Sequence, residues 1–267
     1  MVNRQDFLNA LEEERPAFGV SEMELEQVLQ GGIIHYSRNI DSILEEGHLY
    51  VERARKSQKS PLVSVLMHGP PGSGKTALAA LIAKNSEFPF IKLISPEGMV
   101  GFDERSEVNY LNKVFEDAYK SPFSVVIVDN IERILEFAPI GPQFSNAVLQ
   151  TLLILFCRKP PNGRRLLIIA TTTQKSVLEQ MGLWNSFVTD IGVPNVSKYS
   201  ELAHILHALQ VFESPEKQRK TLEELQNISG TTYLNVGIKK ILMLVETARQ
   251  DEDTAGSFLL GMSRAAG

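Results

Sequence analysis

Several things are scarce in this 267-residue chain, and each shortage removes a class of protein. One cysteine, Cys157, leaves no intrachain disulfide to form and fits a reducing, cytoplasmic setting. Basic residues are outnumbered, 27 Lys and Arg against 32 Asp and Glu, and the formal net charge of -5 disfavours a broad electrostatic grip on nucleic acid. Apolar runs are short. None reaches the roughly 18 to 20 residues of a membrane span, and the opening "MVNRQDFLNALEEERP" has no apolar signal core, so no direct membrane insertion is expected. Among the five histidines only His204 and His207 lie one helical turn apart, without a carboxylate or thiol at ligand spacing to make a metal site.

What is present is a hydrophobic pattern that changes period along the chain. "DFLNALEEE" repeats at helical spacing until Pro16, and further helices are expected over 21–30 and 36–56. From Pro61 onward the period alternates. "PLVSVLMHG", "FPFIKLIS", "FSVVIVD" and "RRLLIIATTT" read as strands, with "KTALAALIAKN", "SEVNYLNKVFEDAYK" and "FSNAVLQTLLILFCRK" as helices between them. That order predicts an α/β domain with a mainly parallel sheet covered on both faces. Beyond about residue 197 three helical stretches follow one another and predict a small helical lid, while "DEDTAGSFLLGMSRAAG" is ambiguous.

"GPPGSGKT", residues 69 to 76, directly follows a strand and opens a helix, the context in which G-x-x-x-x-G-K-[ST] cradles phosphate. The backbone of Pro71, Gly72, Ser73, Gly74, Lys75, Thr76 and Ala77 is expected to curl its N–H groups around an anion at the helix's positive end. Lys75 is expected on the outer phosphates of ATP, and Thr76 with Asp129 on Mg²⁺. "NKVF" at 112–115 fails the guanine-reading pattern, so adenine is favoured.

Two groups that hydrolysis uses are missing. Asn130 follows Asp129 where a carboxylate would prepare the attacking water, and a carboxamide has no useful basicity; general-base help is worth roughly 10² to 10⁴ in rate. No arginine occurs between Leu166 and Lys217, where a finger for a neighbour's phosphate would sit, a contribution of about 10³ to 10⁵. Either Asn130 orients water well enough and other groups supply charge, or the site binds ATP and turns it over slowly. The nearest basic residues, Arg158, Lys159, Arg164 and Arg165, are either a solvated loop or a contact in trans. At the start of the last lid helix, "NVGIKKIL", Lys239 has the offset from Gly237 to reach back to phosphate, with Lys240 as the alternative.

"GPPGSGKT", "VVIVDN", "IIATTT" and "GIKK" together resemble the AAA family of ring ATPases, P-loop NTPases with a helical lid. More narrowly, "PLVSVLMHGPPGSGKTALAALIAKNSEFPFIKLISPEGMVGFDE" and "PIGPQFSNAVLQTLLILF" resemble the second ATPase domain of its vesicular-fusion branch. The resemblance implies a homohexamer held by ATP, weak hydrolysis, and service to SNAP adaptors and SNARE complexes through other domains, peripheral to vesicle membranes. It implies adenine against Gly32, Ile33 and Ile34, a polar sensor at Thr172, the lid lysine at Lys239, and Arg165 near the neighbouring nucleotide. Cys157 departs from the family's basic residue there, so the trans contact falls to Arg165 or Arg158. Residues 1–30 resemble the end of a preceding domain and its linker, as if cut from a tandem protein, with 31–196 as the nucleotide-binding subdomain and 197–267 as the lid. Met99 in "MVGFDE" stands where threading rings carry an aromatic pore residue, with Phe102 as a possible substitute.

Overall fold

The computed structural model describes residues 22–57, 59–140 and 143–266, so the first helix expected from the sequence lies outside the described residues. After α1 (Glu22–Leu29) and the long amphipathic α2 (Arg38–Lys56), the chain enters the sheet. Strands β1 (Leu62–His68), β2 (Phe90–Ile94), β3 (Phe123–Val128), β4 (Arg165–Thr172) and β5 (Thr189–Gly192) lie in the order β2-β3-β4-β1-β5, every pair parallel. Consecutive rather than alternate residues of β1, β3 and β4 are buried, as strands covered on both faces must be.

One face, with Val63, Val65, Val125, Ile127, Leu167 and Ile169, packs against α2 and α3 (Lys75–Asn85). The other, with Leu66, Val126, Val128, Ile168 and Ala170, packs against α4 (Glu104–Ala118) and α6 (Asn146–Cys157). Between β3 and α6 lies the single turn α5 (Ile131–Ile134), and after β4 the short α7 (Lys175–Gln180). The edge strand β5 was not expected from the sequence. It is four residues long, carries Thr189 and Asp190, and pairs only with β1, too little apolar pattern to announce itself.

The lid comprises α8 (Tyr199–Ala208), α9 (Pro215–Ser229), α10 (Ile238–Ala248) and α11 (Thr254–Ala266). The ambiguous last stretch is thus a helix, docked through the fully buried Phe258 and Met262 one turn apart. Lid residues Leu202, Ile205, Ile241 and Val245 share one continuous apolar core with the α2–α3 face of the sheet. The chain passes 196 and 197 in a short antiparallel pairing, with Val196 opposite Val236 and the Leu234 N–H donating to Ser197 O at 2.7 Å. Met99 closes a 3₁₀ turn and is buried in the core of the α4–α6 face, which removes it from any loop tip; Val100 beside it is 81% exposed.

Candidate nucleotide site

The phosphate loop links the end of β1 to the start of α3. Gly74, capping α3, has φ +96°, a left-handed conformation that glycine adopts without a Cβ penalty and that turns successive N–H groups to one side. Lys75 is 5% exposed, and its Nζ donates to Gly69 O (2.9 Å), Pro70 O (2.8 Å) and Ser73 Oγ (3.5 Å). Burial pulls its pKa below the usual lysine range, against the opposing pull of the Glu132 and Asp129 carboxylates. The ammonium is therefore folded over the loop, where an anion would be a stronger partner than a carbonyl.

Asp129 emerges from the end of β3, two strands away from β1. Its Oδ1 accepts from Thr76 Oγ1 and Thr171 Oγ1, both at 2.7 Å, and its Oδ2 accepts from Asn130 Nδ2 at 2.8 Å. Burial raises its pKa, and the two threonine hydrogen bonds offset part of the rise. A hydroxyl in contact with a buried carboxylate fits Mg²⁺, which takes oxygen donors, commonly one or two from protein and the rest from phosphate and water.

Asn130 has φ +50° and ψ +59°, a left-handed position that asparagine tolerates better than most residues. Its N–H donates to Thr171 Oγ1 at 2.9 Å. Strand alternation sends Thr172 to the opposite side from Asp129, where its hydroxyl donates to Glu132 Oε2 at 2.7 Å and accepts the Gln174 N–H at 2.9 Å. Sequence reasoning passed over Glu132. The signal was there, a second carboxylate in "DNIER" three residues after Asp129, but nothing in the letters says that it turns inward.

The lid meets the loop directly. The Lys239 N–H donates to Gly72 O at 3.0 Å, and a Cβ at Gly237 would stand 2.9 Å from Gly72 O and 3.0 Å from Pro71 O. The side chains of Lys239 and Lys240 are exposed beside this contact. Gly32 turns the chain after α1, its N–H donating to Leu29 O at 2.7 Å, and Ile33 and Ile34 lie half-buried against the core shared by sheet and lid. Tyr36, two residues on, is pushed up to about 12 by burial and then by the Glu201 carboxylate of α8, which places this segment at the sheet–lid junction. Thr76 and Ala77 form the first turn of α3 with Lys75, and Ser73 is buried beneath the loop. Arg165 is at the far end of β4, seven residues from Thr172, or roughly 23 Å at 3.3 Å per residue. It is not part of this chain's own site.

A glycine loop between strand and helix, a buried carboxylate facing the loop's threonine, and a helical lid seated on the loop define an ATPase-type P-loop module. Residues 65–195 match the AAA family, the "ATPase family associated with various cellular activities". The chain is 53% identical over 264 residues to the vesicular-fusion protein sec18 of Schizosaccharomyces pombe, covering 99% of this chain and 33% of that protein. It is 45% identical over 265 residues to the vesicular-fusion protein SEC18 of Saccharomyces cerevisiae, 99% of this chain and 35% of the other. Against the vesicle-fusing ATPase of Dictyostelium discoideum the identity is 43% over 255 residues, 96% and 33% respectively. The chain spans about a third of the length of these relatives.

Proposed function

We propose that this chain is the second ATPase domain of a vesicular-fusion ATPase, and that it binds Mg·ATP chiefly to hold a homohexameric ring together while hydrolysing it slowly. The observation that carries the reading is Asn130, whose amide donates to Asp129 where a basic carboxylate would otherwise stand. The site is furnished to bind: loop N–H groups and Lys75 for the phosphates, Thr76 and Asp129 for the cation, and Lys239 at the lid contact. Magnesium would be held by Thr76 and Asp129 and would supply positive charge that neutralises the phosphates. Ligand that binds only the assembled form favours assembly by RT ln(1 + [L]/Kd), about 4 kcal/mol at a thousandfold excess over Kd. Nucleotide can thus act as a structural part.

The names of the relatives support a place in vesicle fusion. By that resemblance SNAP adaptors and SNARE complexes are the partners, engaged through other domains, at the cytoplasmic face of vesicle and organelle membranes. A second reading, an ATPase that remodels proteins by hydrolysis in this domain, is favoured by one feature, the Glu132 carboxylate near Lys75. Sedimentation decides the main point. The purified chain is expected to run as hexamers with Mg·ATP and as smaller species without it, and Lys75→Ala to stay small in both. Hexamers of Lys75→Ala in nucleotide-free buffer would defeat the proposal.

A further inference from the structure

Away from the nucleotide site, one buried carboxylate is left without a donor. Glu107, in the first turn of α4, is 8% exposed, and its Oε2 has no hydrogen-bond partner among the described residues. That turn is tied to the loop joining α5 to α6, because Ser145 Oγ donates to Glu104 Oε1 at 2.6 Å. Glu136 opens the loop in a left-handed conformation, φ +52°, and the Ser145 N–H closes it on Leu135 O at 2.9 Å.

The positive end of α4 favours carboxylates, and Asp103 uses it, accepting the Ser106 N–H at 2.8 Å. For Glu107 burial outweighs this help. Burial first, then the like charges of Glu136, Glu104 and Asp103, push its pKa up from the ordinary carboxylate value. No three such ligands among the described residues are placed to hold a metal ion, and the bare oxygen is closed to solvent. A proton is the one counter-charge small enough to reach it. We propose that Glu107 is a proton-operated latch on this loop: protonated, it lets α4 and the loop pack together, and ionised, it drives Glu136 and the loop away from α4. The stability that the neutral form contributes is complete below the unfolded value of about 4.3 and is lost as pH rises through the raised folded value. The loop begins two residues after α5, the short helix that follows Asp129 and Asn130, so the latch acts one helical turn from the nucleotide site. It does not depend on how that site is read.

Glutamine keeps the shape of the side chain and cannot ionise. Nucleotide-free Glu107→Gln is expected to melt about 2–4 °C above the parent near pH 7.5, with the gap closing as pH falls toward about 5. Near the higher pH the Ala138 and Ser145 amides, bonded to Gln143 O and Leu135 O, should exchange with deuterium severalfold more slowly in the variant than in the parent. Glu136→Gln removes the strongest of the like charges. It should raise the melting temperature near neutral pH and reduce what Glu107→Gln adds to it. A folded Glu107→Gln protein that melts with the parent near pH 7.5 overturns the inference, as does a gap that stays constant with pH or unchanged exchange at Ala138 and Ser145. If Glu107→Gln does not fold, Glu136→Gln decides alone, and no gain in its melting temperature near neutral pH overturns the latch.

Discussion

At the scale of single residues, Asn130 joins chemistry to backbone geometry. Its left-handed φ of +50° would cost most side chains about 1 to 2 kcal/mol, whereas asparagine and aspartate adopt it readily. The letter was legible in the sequence and its consequence for a missing base followed; the backbone angle and the bond to Asp129 were not, because both depend on where β3 ends beside β4. The two routes to restoring a carboxylate therefore differ. Asn130→Asp keeps the backbone relaxed, while Asn130→Glu should lower stability by about 1 kcal/mol, or roughly 2–4 °C in a chain of this size. Each replaces a donor to Asp129 by a like charge, so neither should raise steady-state ATP turnover more than about tenfold, against the 10² to 10⁴ that a well-placed base contributes. Thermal melts and phosphate release measure both parts. A hundredfold gain in Asn130→Asp would show that the missing base alone limits the site.

At the scale of elements, the first four strands were readable because burial on both faces leaves apolar runs such as "SVVIV", and the phosphate loop because its spacing is fixed by the anion it wraps. β5 was not, and for α10 the sequence offered only a lysine side chain reaching toward phosphate and not the backbone contact with the loop. A four-residue edge strand has too few positions to show a period, and the seating of α10 depends on a contact between residues more than 160 positions apart. That contact is tight at Gly237, whose φ of -66° and ψ of 140° any residue can adopt, so substitution there perturbs packing and not backbone. Gly237→Ala pushes a methyl group to within 3 Å of the Gly72 and Pro71 carbonyl oxygens and must move α10 or the loop. The expected result is ATP affinity about tenfold weaker, about 1.4 kcal/mol. Because the backbone is unstrained, the melting temperature of the nucleotide-free protein should shift by only a few degrees. Calorimetric titration beside a melt separates the two; parent affinity in Gly237→Ala would mean that the lid contact does not bear on nucleotide.

At the scale of the whole molecule, the lid core is continuous with the α2–α3 face of the sheet, so a nucleotide bound as proposed would lie beside the main apolar seam. Arg165 sits at the opposite end of β4 from the phosphate loop, and its role in the site, implied by resemblance, can be exercised only on another copy. In the closed head-to-tail ring proposed above, each interface would pair one subunit's loop with its neighbour's Arg165 edge. This geometry makes a sharp prediction for mixtures. Lys75→Ala offers an intact Arg165 to its neighbour but no phosphate site, and Arg165→Ala offers an intact phosphate site but no trans cation; a charge-assisted hydrogen bond of this kind is worth about 1.5–3 kcal/mol. Each variant alone should fail to form hexamers with Mg·ATP. Mixed in equal amounts, every Arg165→Ala subunit can place its loop against the intact Arg165 of a Lys75→Ala neighbour, so half of the interfaces in an alternating ring become complete. Sedimentation of the mixture with Mg·ATP is expected to recover assemblies larger than either variant alone gives. If the mixture sediments as the simple sum of its parts, Arg165 does not act across the subunit boundary, and the trans contact has to be sought at Arg158 on the neighbouring loop.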